Sequence, residues 1–165
     1  MHEPLEEYIF QELLKILPHS PQMLELGAYW GHYSMWLKKF RPQAAVYLVE
    51  SDHEALKVGI NNFKRNGYDA EFLCATVGKD DFKVDSFLSG KRISKLDILH
   101  ADIQGAEIEM LEGSSQSLVQ RQVDYLFIST HSTALHHEAT QILETFGYRI
   151  EVSSDYDLET TSYDT

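Results

Sequence analysis

The sequence predicts an α/β fold, a doubly wound and mostly parallel Rossmann-like sheet in three α/β/α layers with an antiparallel last strand. Three observations carry this. Short apolar runs alternate with stretches of helical periodicity along the chain, the pattern of β-α-β units. The first two runs each end in an acid, Glu25 and Glu50. Between them lie a glycine turn, Gly27-Ala28-Tyr29-Trp30-Gly31, and a helical segment.

In chain order, Leu5, Ile9, Leu13 and Leu17 recur every fourth residue and give an N-terminal helix one apolar face, with Pro18 and Pro21 ending it. A first strand follows from about Met23. Tyr33, Trp36, Leu37 and Phe40 have i, i+3, i+4, i+7 spacing, so the next helix packs on the sheet through them until Arg41-Pro42. Ala44–Glu50 is the second strand, and Leu56, Ile60 and Phe63 mark a helix stopped by Asn66-Gly67. Residues 70–75, Leu96–Ala101 and Val123–Ser129 read as strands three to five. Leu135, Ala139, Ile142, Leu143 and Phe146 outline a last helix capped by Gly147. Tyr148–Val152 and Glu159–Tyr163 are expected to form a closing hairpin around the acidic Asp155-Tyr156-Asp157. The division expected is one domain over 1–165: an N-terminal helix in 1–20, a cofactor-binding core in 22–152 and a hairpin or tail in 153–165.

At 165 residues and 43% hydrophobic, the chain can bury one sizeable core. It has no apolar run long enough to span a bilayer and no signal-peptide pattern at Met1-His2-Glu3-Pro4. A single cysteine, Cys74, excludes an intrachain disulfide and fits a reducing compartment, so a cytoplasmic location is expected, with Cys74 an inert core residue of its strand. The net charge of −12 repels a phosphate backbone, so neither nucleic acid nor membrane is an expected partner, while a homo-oligomer is compatible with the composition. The basic clusters Lys38-Lys39…Arg41 and Lys91-Arg92…Lys95 read as ordinary solvated faces. His136-His137 are adjacent on a helix and diverge, and His131 is poorly spaced from them, so no metal is expected.

The glycine turn points to a cofactor. Glycine lets the backbone approach a ligand, and an acid ending the second strand can accept hydrogen bonds from ribose hydroxyls. Glu50 lies 23 residues after Gly27, near the spacing such units use. Tyr29 occupies the place where dinucleotide binders need a small residue against the pyrophosphate. A cofactor with ribose and no pyrophosphate fits better, and S-adenosylmethionine is the candidate.

With these elements placed, three blocks resemble the FkbM family of S-adenosylmethionine-dependent methyltransferases from about Met23 to Ile150. Leu26-Gly27-Ala28-Tyr29-Trp30-Gly31-His32-Tyr33-Ser34 is similar to the family's D-x-G-A-N-x-G-x-Y-S/T. Asp102-Ile103-Gln104-Gly105-Ala106-Glu107 resembles its D-x-E-G-A-E, the most specific of the three. Leu126–Ser129 leading to His131 is similar to its E-x-H. Tyr29 stands for the family's asparagine, Gln104 for a glutamate and Ser129 for an acid.

The resemblance implies that the Gly27, Ala28, Tyr29 and Gly31 loop holds the methionine end of the cofactor, with the helix N–H groups and the Ser34 hydroxyl facing its carboxylate and Glu25 its amino group. Glu50 and Ser51 would serve the ribose side, although Ser51 and Asp52 also suit a helix start. Thr76, after strand three, lies where related folds pass the adenine. Asp102, Gln104 and His131 are the catalytic candidates: Asp102 to orient acceptor or cofactor, and His131 to deprotonate a hydroxyl. Asp102 is also placed to cap a helix near Gly105, Glu107 to meet a helix dipole, and His131 to serve a purely structural end. The activity implied is O-methylation of a small-molecule or glycan hydroxyl. Two other readings stand beside it: a cofactor-binding module with impaired catalysis, and an NAD-dependent oxidoreductase on a Rossmann sheet.

Overall fold

The computed structural model of the chain describes residues 4–78, 81–154 and 161–163. Its contacts divide into two compact units, residues 1–76, 95–101 and 123–127 in the first and 77–94, 102–122 and 128–165 in the second.

The first unit holds helices α1 (Pro4–Ile16), α2 (His32–Phe40) and α3 (His53–Asn66) with strands β1 (Gln22–Leu26), β2 (Ala45–Glu50), β3 (Glu71–Cys74), β4 (Leu96–Ala101) and β5 (Val123–Ile128), the last residue of β5 falling in the second unit. The strand order is β3-β2-β1-β4-β5. β1 pairs in parallel with both β2 and β4, and β2 with β3, placing Leu26 beside Val49 and Ala101. The near-continuous apolar runs follow from this, because every residue of β4 is buried.

Phe10, Leu13 and Leu14 of α1 enter the core together with Leu17 just past its end, while Leu5 and Ile9 stay half-buried at the edge. Phe10 is fully buried, its ring 4.9 Å from Tyr33, 5.5 Å from Trp36 and 5.6 Å from Phe127. On α2 and α3 the expected inner faces are trimmed, for Phe40 and Ile60 are exposed. Asp52 starts α3 by accepting the Glu54 and Ala55 N–H groups at 2.7 and 2.9 Å, and those bonds hold its carboxyl below the usual range. Gly67 ends α3 in left-handed backbone.

One basic residue contradicts the solvated-face expectation. Lys38 is 2% exposed, and its ammonium donates to the Pro42 and Ala44 carbonyls at 3.0 and 2.9 Å and to Asp69 Oδ1 at 2.7 Å. It ties the end of α2 to the entry of β2. Of the three acceptors only the Ala44 carbonyl belongs to a buried residue, and a buried carbonyl left without a donor costs about 1–3 kcal/mol. Lys38→Met is therefore expected to lower unfolding free energy by about 1–3 kcal/mol in urea titrations. A loss within about 0.5 kcal/mol, the range of ordinary surface changes, would show that the ammonium is not needed there.

The second unit contains α4 (Val84–Lys91), α5 (Glu107–Glu112), α6 (Ser115–Val119), α7 (Thr133–Thr145), β6 (Val152–Ser154) and β7 (Thr161–Tyr163). α4 packs on α6 and α5 on α7. The Asp85 carboxylate on α4 accepts the Gln116 and Ser117 N–H groups at 2.9 and 2.8 Å, and also the Ser117 hydroxyl. Among the described residues no antiparallel last strand joins the five-stranded sheet. β6 and β7 pair with each other instead, Val152 opposite Tyr163 and Ser154 opposite Thr161. Asp155-Tyr156-Asp157 and the expected strand start at Glu159 lie outside the described residues.

Candidate active site

In an open parallel sheet, ligands bind beyond the carboxyl ends of the strands where the order reverses. Here that point lies between β1 and β4, which end at Leu26 and Ala101. The turn after β1 is tied down by backbone: the Gly27 and Ala28 N–H groups both donate to the Val49 carbonyl, at 2.9 and 3.0 Å. Gly27 has φ 69° and Gly31 φ 79°, left-handed values that glycine adopts without strain. At Gly31 space is also short, since a Cβ would stand 2.7 Å from Phe63 and 2.9 Å from Leu48. Tyr29 too is left-handed, at φ 48°, and 63% exposed. Asparagine, the residue it replaces in the resembled motif, visits this region far more readily than tyrosine.

What holds Tyr29 there is Glu50. Its Oε2 accepts the Tyr29 N–H at 2.8 Å, while Oε1 accepts the Asp52 N–H at 2.8 Å and the Ser51 hydroxyl at 3.3 Å. Glu50 is 8% exposed, so the carboxylate is preorganised by these donors. Each carboxylate oxygen has about two acceptor sites, so Oε2 keeps one free after the Tyr29 bond. Ser51 and Thr76 are exposed, and the Ala75 N–H donates to the Glu50 carbonyl at 3.2 Å, setting the β3 exit beside the β2 exit. Cys74 lies there as well. Contrary to expectation it is exposed, its Sγ 3.7 Å from the Ser51 carbonyl, because the outer strand β3 ends at this residue.

Glu25 and Ser34 are both buried in the structure. Glu25 is 3% exposed and its Oε2 accepts the Ser34 N–H at 2.9 Å, so it serves the first turn of α2. Burial pushes its carboxyl above the ordinary range, against the charge of His100 and the bonds from Ser34. Ser34 is itself fully buried, and its N–H is already taken. Ala28 is 4% exposed, and its N–H is the one donated to Val49.

In the second unit, the ring of His131 stands between two acids. Nδ1 is 2.7 Å from Glu107 Oε1, and Nε2 is 3.1 Å from Asp102 Oδ1. The two acids differ in setting, the Asp102 side chain being 49% exposed and that of Glu107 fully buried. Glu107 Oε1 also accepts the Gly105 N–H at 3.0 Å. The structure thus brings Asp102 and His131 together. Gln104 is exposed in left-handed backbone, φ 49°, and the acid on Nδ1 is Glu107. Asp102 caps no helix, for α5 starts at Glu107 with Ala106 as its cap residue. Glu107 was legible only as a first-turn acid; the G-A-E run next to Asp102 was the available signal. His136 is engaged elsewhere, with Thr130 Oγ1 at 3.3 Å and Ser153 Oγ at 2.8 Å.

Solved structures share this fold. Precorrin-6y C5,15-methyltransferase from Geobacter metallireducens GS-15 aligns with TM-score 0.69 and 13% identity, over 99% of this chain and 85% of that one. M. capricolum TrmK in complex with S-adenosylhomocysteine aligns with TM-score 0.61 and 14% identity, over 93% of this chain and 64% of that one. A SAM-dependent methyltransferase from Aquifex aeolicus aligns with TM-score 0.57 and 18% identity, over 93% and 88%. The chain therefore spans less than two thirds of TrmK. The fold is that of class I methyltransferases. No curated protein matches the chain in sequence. Residues 26–150 match the Methyltransferase FkbM domain, and the chain belongs to that family. None of the described helices is long and apolar enough to cross a membrane.

Proposed function

We propose that the chain binds S-adenosylmethionine and catalyses methylation of a hydroxyl on a small molecule or glycan. The observation that carries the cofactor reading is Glu50, a nearly buried carboxylate at the end of β2 with both oxygens aligned by backbone N–H groups. The free acceptor site on Oε2 suits a ribose hydroxyl, and the glycine turn beside it leaves backbone open to close approach. S-adenosylmethionine supplies, when bound, a methyl group already activated on a sulfonium sulfur. The protein's own work is then alignment, worth about 7–11 kcal/mol where geometry is good, and handling of the acceptor's proton. His131 Nε2 takes that proton, and Asp102 orients the hydroxyl. A net charge of −12 favours an acceptor that is not a polyanion.

Calorimetry with S-adenosylhomocysteine tests the cofactor reading, with micromolar binding expected. Because Cys74 is exposed beside Ser51, saturating S-adenosylhomocysteine is expected to slow its alkylation by iodoacetamide several-fold. No heat at millimolar ligand, together with unprotected Cys74 in folded protein, would overturn the reading.

A further inference from the structure

We infer that Glu107 is the positioning residue of His131: its buried carboxylate keeps the proton on Nδ1, leaves Nε2 as the basic nitrogen, and balances the imidazolium charge once Nε2 is protonated. The inference deepens the proposed function and rests on the reading of His131 as base.

Three observations support it. Glu107 Oε1 lies 2.7 Å from His131 Nδ1 and 3.0 Å from the Gly105 N. The Gly105 N–H can only donate and a carboxylate oxygen can only accept, so with Glu107 ionised Oε1 accepts from both, and the bond to the ring is Nδ1–H donating to it. Second, Glu107 is fully buried and its Oε2 has no hydrogen-bond partner. A carboxylate held this way destabilises the fold relative to an amide or an apolar side chain of similar size, so stability does not account for an acid here. Third, the other charged group facing the ring, Asp102 on Nε2, has its side chain half in solvent. A solvated carboxylate stabilises an N–H beside it less than a desolvated one at shorter distance does. When the ring gives up one of its two protons, the one on Nε2 leaves. His136, on the adjoining α7, is occupied by Thr130 and Ser153.

The proton step balances within this group. The acceptor O–H bond breaks, the Nε2–H bond forms, and neutral imidazole becomes imidazolium against the Glu107 carboxylate. A half-exposed Asp102 can swing aside for the hydroxyl, whereas Glu107, gripped by Gly105, cannot.

The test is nitrogen-15 NMR of the whole chain without ligand, with the His131 signals assigned by their loss in His131→Ala. Above the pH at which the ring is neutral, wild-type His131 is expected to carry its proton on Nδ1. In Glu107→Ala it shifts to the Nε2–H form. In Glu107→Gln the Gly105 N–H keeps the amide oxygen toward Nδ1, so the tautomer is retained, but the Nδ1 proton moves upfield because the charge is gone. Tm of Glu107→Gln stays level or rises. Wild-type His131 protonated on Nε2, or an unchanged Nδ1 proton in Glu107→Gln with Tm down by several degrees, overturns the inference and makes Glu107 a stability residue. These signals need neither cofactor nor acceptor, so a failed calorimetric titration would remove the cofactor reading without altering them.

Discussion

Glu50→Ala is expected to weaken S-adenosylhomocysteine binding at least tenfold by calorimetry. A hydrogen bond to a charged group contributes about 1.5–3 kcal/mol, which corresponds to roughly 10- to 150-fold in affinity. The upper part of that range is expected because the carboxylate has a second task. It accepts the Tyr29 N–H and the Asp52 N–H, so it holds the glycine turn and the start of α3 in place before any ligand arrives. Removing it releases Tyr29 from a left-handed conformation that costs a non-glycine residue about 1–2 kcal/mol. Glu50→Gln offers no rescue, since its amide nitrogen would face one of the two backbone donors. Wild-type affinity in a folded Glu50→Ala would place the ribose elsewhere, and the assignment of β2 as the ribose strand would fall.

The second large effect is at His131. Once an acceptor is in hand, His131→Ala is expected to lower kcat about 10²–10⁴-fold, the usual range for losing a general base, with S-adenosylhomocysteine affinity nearly unchanged. Only an imidazole with Nε2 unprotonated can take the acceptor's proton. Normal turnover in the variant would mean that alignment alone drives the reaction and that the histidine is structural.

Much of the framework was legible because it depends on local rules. β4 matches the expected Leu96–Ala101, and β2 and β5 differ from expectation by one residue at an end. Asp52 caps α3 as its residue type and position suggest. The short helices α4 and α6 went unread, since eight and five residues are too few for a clear apolar period. Of the closing hairpin, β7 falls within the expected Glu159–Tyr163, but the expected strand Tyr148–Val152 is misplaced, for β6 begins only at Val152, and the pairing of β6 and β7 apart from the main sheet was not foreseen.

Burial and partnership were decided by distance in space, and the corrections cluster there. Lys38 reads as a surface cation until two carbonyls of the α2–β2 connection and Asp69 of the α3–β3 connection gather around it. Glu25 and Ser34, nine residues apart in sequence, are each other's partners. Cys74 sits among apolar neighbours in the chain yet ends an outer strand in the open. The sequence by itself determined the strands, the glycine turn and the acids at strand ends, because those follow from periodicity and backbone sterics within a few residues. Only the tertiary structure decided which acid holds which group: Glu50 grips a turn 21 residues before it and Glu107 a histidine 24 residues after it. A carboxylate's role is set by the donors that surround it and the water that does not, and neither is written in its neighbours along the chain.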